Sequence, residues 1–113
     1  MYRKQSNLSS MLNTRIEIWH NTTVKNELGQ RSFQPALFKK MWAGIIPQTG
    51  SLLNGRAADI ALTRTTHKFI TRFDSSVTSN MWIIHNGKRY DIIYVLDPYS
   101  NHERNEIFAE VVL

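Results

Sequence analysis

The chain of 113 residues is 42% hydrophobic, enough for one domain burying roughly two-thirds of its unfolded surface and too short for a second. It has no cysteine, which excludes disulfides, thiolate catalysis, iron-sulfur clusters and Cys-based zinc sites. Its formal charge of +5 favours acidic partners, and no apolar run approaches the ~18 residues of a membrane span, so a soluble protein made in the cytoplasm, without membrane contact, is expected.

The charge is unevenly spread. Residues 1 to 72 hold eleven Lys or Arg against Glu17, Glu27 and Asp59, whereas residues 73 to 113 hold three against six carboxylates. Either one part of the chain favours anionic partners or the charges are scatter on a solvated surface.

Residues 1 to 13 are polar and read as a mobile N-terminal arm; residues 14 to 113 read as a single β domain. TRIEIWH, residues 14 to 20, alternates apolar Ile16 and Ile18 with polar Arg15 and Glu17, the period of a half-buried strand. Glu27 to Gln30 forms a turn, with Gly29 free to take positive φ. Residues 32 to 47, SFQPALFKKMWAGIIP, return as a long second strand. Proline cannot donate to a ladder, so the stretch around Pro35 is expected at an edge or in an excursion.

Residues 50 to 57, GSLLNGRA, have the spacing G-x-x-x-x-G followed by a basic residue, which is that of a phosphate-binding loop. The chemistry fails, because Arg56 and Ala57 stand where Lys and a magnesium-binding hydroxyl are required. The surrounding antiparallel hairpin signals also fail to supply a parallel βαβ unit. Residues 51 to 64 carry an approximate helical stripe of Leu52, Leu53, Ala57, Ile60 and Ala61, so one short helix inserted in a loop is expected.

THKFITRF, residues 66 to 73, is a third strand rich in β-branched and aromatic residues. MWIIHNGKRYDIIYVLD, residues 81 to 97, places two apolar runs around Asn86-Gly87, the signature of a hairpin with a type I′ turn. Ile92 to Leu96 is apolar on both faces, so one face can fill the interior while the other meets the helix or a neighbour. After turn signals at Asp97-Pro98 and Ser100-Asn101, residues 104 to 113 give the last strand. The expected fold is mainly β, a small antiparallel β-barrel of about six strands with one short helix in an inserted loop.

No catalytic or metal centre is expected. His20, His67, His85 and His102 lack ligand spacing, the serines lack nucleophile-elbow glycines, and Asp91 and Asp97 face no obvious partner. No cofactor is implied. The three tryptophans, Trp19, Trp42 and Trp82, read as core or interface anchors ahead of base-stacking platforms.

Taken in order, Arg15-Ile16-Glu17-Ile18, Trp42-Ala43-Gly44-Ile45-Ile46-Pro47-Gln48-Thr49-Gly50, the Ala-bearing helix, Thr66-His67 through Arg72-Phe73, and Gly87 through Tyr90 to Ile92 resemble the head-tail joining proteins of tailed bacteriophages, also called head-closure, stopper or adaptor proteins. The resemblance covers about nine-tenths of the chain, Arg15 to Leu113. One departure is that Ser51-Leu52 stands where members often have an acidic residue.

The resemblance implies a structural virion protein, not an enzyme. It would form a homo-oligomeric ring, a dodecamer or hexamer, at the head-tail connector. That ring would join the portal or adaptor protein to the tail and help retain packaged double-stranded DNA. On this basis Arg56 and Arg64 are expected to contact DNA phosphates in the channel without reading sequence, and Trp42, Leu52, Leu53, Ile93 and Val95 to line subunit or partner interfaces. Two alternatives stay open. One is a small single-strand nucleic-acid-binding barrel, which would bind oligonucleotides tightly as an isolated chain. The other is a ring protein elsewhere in the neck or at the tail terminus.

Overall fold

A computed structural model describes residues 10 to 48 and 65 to 113. Six strands follow in chain order: β1 (Thr14–Lys25), β2 (Arg31–Pro47), β3 (His67–Arg72), β4 (Trp82–His85), β5 (Lys88–Leu96) and β6 (Arg104–Val111). Every pairing is antiparallel, and the order β1-β2-β3-β6-β5-β4 closes on itself as a barrel. The expected barrel class is therefore the observed one, while the helix expected over residues 51 to 64 lies outside the described residues.

Closure follows from the alternating pattern. On β1, Ile16 and Ile18 turn inward, and the short β4 seals the seam by setting Glu17 opposite Ile84, Ile18 opposite Ile83 and Trp19 opposite Trp82. Phe69, Ile83, Tyr90, Ile92, Ile107 and Ala109 complete the interior, and Val77 enters it from the segment between β3 and β4. Phe69, Ile83 and Ile107 are fully buried, each stabilising the fold by about 1.5–3 kcal/mol relative to an exposed side chain. His67 and Phe69 both meet the Tyr90 ring edge-on, at 5.0 and 5.1 Å between centroids. The buried amide of Asn105 is satisfied by donating to the Asp74 carbonyl at 2.9 Å.

The hairpin between β4 and β5 turns at Asn86 (φ 55°) and Gly87 (φ 75°), both left-handed as a type I′ turn requires. Gly44 serves a different need. A Cβ there would stand 2.7 Å from the Met11 carbonyl oxygen, so the missing side chain lets residues 10 to 13 lie across the outside of the sheet.

The first hairpin is longer than the barrel. β3 pairs with β2 only over Ala43–Pro47, and β4 pairs with β1 only over Glu17–Trp19, whereas β1 and β2 stay paired from Thr14–Ala43 out to Lys25–Arg31. Beyond Trp19 and Leu37 the two strands run on as a free ribbon. Pro35 sits in that ribbon opposite Asn21, with its outer edge unpaired, so the strand accommodates the proline as an edge position. The turn at its tip is held by the Asn26 carboxamide oxygen, which accepts from the Leu28 and Gln30 amides at 2.9 and 3.0 Å. Gly29 closes the turn at φ 80°.

Candidate functional site

The described residues hold no cluster of three or more His, Asp or Glu side chains able to bind a metal, and no helix among them is long and apolar enough to cross a membrane. Among the described residues, three features of the outer surface stand out.

The first is the outer face of β1 and β2. Trp42 points outward, 52% exposed, with the Arg15 guanidinium 5.2 Å from its ring centre. Beside it, Leu12, Met41 and Trp42 share an open cleft of about 440 Å³ with Lys39, Lys40 and Arg72. Apolar walls rimmed by cations suit an anionic partner that also carries a hydrophobic side chain. Lys39 additionally pairs with Asp74, which accepts from Ser76 as well. The Lys39 and Ser76 hydrogen bonds hold the Asp74 carboxyl down at about 2.

The second is the free ribbon. Its tip and flank present Leu28, 82% exposed, and Phe33, 77% exposed. Phe33 lies on a strand whose outer edge is unpaired, and such an edge is a ready template for contact with another chain.

The third is the connection from β5 to β6. Tyr99, Ser100 and His102 all have positive φ, between 53° and 60°, a conformation costing non-glycine residues on the order of 1 kcal/mol or more each. Asp97 holds the turn in place, accepting from the His102 amide at 3.0 Å and meeting its Nδ1 at 2.7 Å. Pro98 is buried beneath it and the His102 ring lies 4.5 Å from that of Phe73. The result is Tyr99 displayed at 93% exposure on an anchored, strained loop.

The residues singled out from sequence are distributed as follows. Trp42 is on the outer wall, in the cleft just described. Ile93 is the extra residue of a β-bulge between Ile92 and Tyr94, half-buried beside Trp82 and Asp91. Val95 turns inward and packs against the core, so that its neighbour Tyr94 is the residue facing outward on this strand. Leu52, Leu53, Arg56 and Arg64 lie outside the described residues. Leu28 and Tyr99 carry no signal in periodicity, since a lone apolar residue in a polar turn reads as ordinary surface.

The sequence from residue 9 to residue 112 matches the family model for the phage head completion protein. The chain belongs to that family. Membership makes it a structural component of a phage head, carried in the virion, and accords with the likeness to head-tail joining proteins seen in the motifs from Arg15 onward. The sequence finds no match among the curated proteins.

Among solved structures, the fold is similar to that of a protein from Shigella flexneri 2a determined in solution. The TM-score is 0.73 at 17% identity, over 89% of this chain and 93% of the other. It is also similar to a chain in the virion of the native gene transfer agent particle, with a TM-score of 0.60 at 15% identity, over 89% and 96% of the two chains. At these identities the likeness is one of fold.

Proposed function

We propose that this head completion protein assembles as a ring at the head-tail interface, joining the portal or its adaptor to the tail and helping to retain the packaged genome. The observation that carries the reading is the family match across nearly the whole chain, combined with an outer surface built for contact on opposite sides of the barrel. A closed barrel has no edge strand to spare for aggregation. The free ribbon, the Trp42 cleft and the Tyr99 loop instead supply three separate contact features, as a component held between two layers needs. The role is structural and requires no catalysis.

In this assignment residues 14 to 113 form the barrel domain and residues 1 to 13 an N-terminal arm that packs or orders against neighbours. Arg56 and Arg64 contact phosphates of double-stranded DNA non-specifically. Trp42, Leu52, Leu53 and Ile93 meet adjacent subunits or partners, and Val95 supports that surface from within. The stoichiometry expected is six or twelve.

Deleting the gene in the producing phage and imaging the lysate tests this directly, with nuclease protection reporting DNA retention. Filled heads that leak DNA and stand tailless beside finished tails are expected. Complete tailed particles would refute the role, and failure of DNA replication before heads form would favour a nucleic-acid-binding barrel.

A further inference from the structure

The two outer edges of the ribbon are not equivalent. At its tip the Asn26 amide donates to the Gln30 carbonyl at 3.0 Å, which makes Asn26 and Gln30 a hydrogen-bonded pair. Along an antiparallel ladder such pairs alternate with non-hydrogen-bonded ones. The register from Lys25 and Arg31 back to Asn21 and Pro35 is unbroken. Thr22 and Val24 therefore bond to β2, whereas Asn21, Thr23 and Lys25 turn their N–H and C=O groups away from it. Pro35, which has no N–H to give to Asn21, agrees with this phase.

On β2 the same alternation turns Arg31, Phe33 and Pro35 outward. The proline removes a donor from that edge, one of the devices that blunt an edge against further pairing. The β1 edge has no such block. β4 covers β1 only as far as Trp19, and among the described residues nothing pairs with the outward groups of Asn21, Thr23 and Lys25. A two-stranded hairpin by itself is marginal in water, and a further strand stabilises it.

The open edge fits a copy of itself. Laid antiparallel, with the two Thr23 residues facing each other on a two-fold axis, it sets Asn21 opposite Lys25 and Thr22 opposite Val24. Outward groups then meet outward groups, as a hydrogen-bonded ladder requires. No like charges stand opposite each other, and threonine and valine are favoured in strands. This alignment ends the second copy's strand beside Asn21, where His20, Asn21, Phe33, Thr78, Asn80 and Met81 line an open cleft of about 460 Å³. The turn that follows, with Leu28 82% exposed, arrives at that cleft.

We propose that the outer edge of β1, from Asn21 to Lys25, is a strand-pairing site whose occupant in the free protein is the same edge of a second copy. The product is a continuous antiparallel sheet in the order β2-β1-β1-β2 across a two-fold axis. Such a pair is closed, unlike the head-to-tail contacts of a ring. The inference thus concerns the free protein and is independent of the ring reading.

Because the chain has no cysteine, single-cysteine trapping reads the register. Full-length Thr23→Cys, mildly oxidised and run on a non-reducing gel, is expected to give a disulfide-linked dimer, since residues facing in such a pair have Cα atoms about 5.5 Å apart. Val24→Cys, which faces Thr22 of the second copy and not itself, should stay monomeric. Sedimentation equilibrium of the unmodified chain should show monomer and dimer in exchange. Thr23→Pro removes an outward donor and no β1–β2 hydrogen bond, and it should weaken the dimer about tenfold or more. Arg31→Pro, on the β2 edge, should leave it unchanged.

A chain that stays monomeric at every concentration, or a dimer that Thr23→Pro leaves intact, would overturn the pairing. So would failure to trap Thr23→Cys, or trapping of Val24→Cys as readily. If circular dichroism shows that Thr23→Pro does not fold, the two cysteine variants decide the matter alone.

Discussion

Asp74 ties three parts of the barrel together, holding Lys39 of β2 and Ser76 of the following turn through its carboxylate and Asn105 of β6 through its carbonyl. Its folded carboxyl is depressed from 3.8 to about 2, first by the Lys39 hydrogen bond and then by Ser76. A depressed carboxyl contributes stability that is present above the unfolded value and lost as pH falls through the folded one. Asp74→Asn should therefore cost about 1 kcal/mol at neutral pH, discounted for the solvent-facing lysine. Urea titrations should show the variant and the parent converging as pH approaches 2.

His67 moves the same way for a different reason. Burial first, then the Lys88 charge, lowers its pKa below 6.5, so the fold prefers the neutral ring and loses stability as pH drops below that value. At Gly44, the Met11 carbonyl 2.7 Å from the Cβ position predicts that Gly44→Ala displaces residues 10 to 13 or shifts the sheet. A loss of about 1–3 kcal/mol in thermal or denaturant unfolding is expected, and an unchanged midpoint would show that the segment moves aside freely.

At the scale of elements, the hairpin between β4 and β5 was the most legible feature. Asn86-Gly87 between two apolar runs admits few alternatives, and both residues adopt the required positive φ. Replacing the pair with Ala-Ala should destabilise the protein by about 2 kcal/mol, roughly one for each forced left-handed residue, measurable by chemical denaturation.

β1 was harder to delimit. The alternation through Ile16 and Ile18 marks its buried half, but in HNTTVK (residues 20 to 25) Val24 is the one apolar aliphatic residue and no residue is fully buried. Its strand conformation comes from pairing with β2, a non-local cause that no window of sequence contains. Pro35 gave the better clue, since a proline inside a long strand implies a free edge, and the ribbon supplies one.

Val95 illustrates the opposite limit. Its strand is apolar on both faces, so the bulge at Ile93 decides which residues face in, and a bulge leaves no period-2 signature. The strained Tyr99 turn escaped for a related reason, as its positive φ angles sit on Tyr, Ser and His, not on the glycines that normally announce them.

For the whole molecule, the uneven charge in the sequence becomes a spatial division. Among the described residues β1, β2 and β3, with their connections, carry seven basic side chains against two acidic ones, while residues 73 to 113 carry three against six. The barrel order keeps each group contiguous, which gives the particle two unlike walls suited to head-to-tail association. The radius of gyration, 16.1 Å, exceeds the ~13 Å of a compact chain this long, as a projecting ribbon requires.

The proposed role requires this head completion protein to form a ring that closes the head where the tail docks. Electron cryomicroscopy of the intact particle tests it most directly. Density for this barrel is expected as a ring between portal and tail. A head-tail junction without the barrel, or the barrel found only elsewhere in the particle, would contradict it.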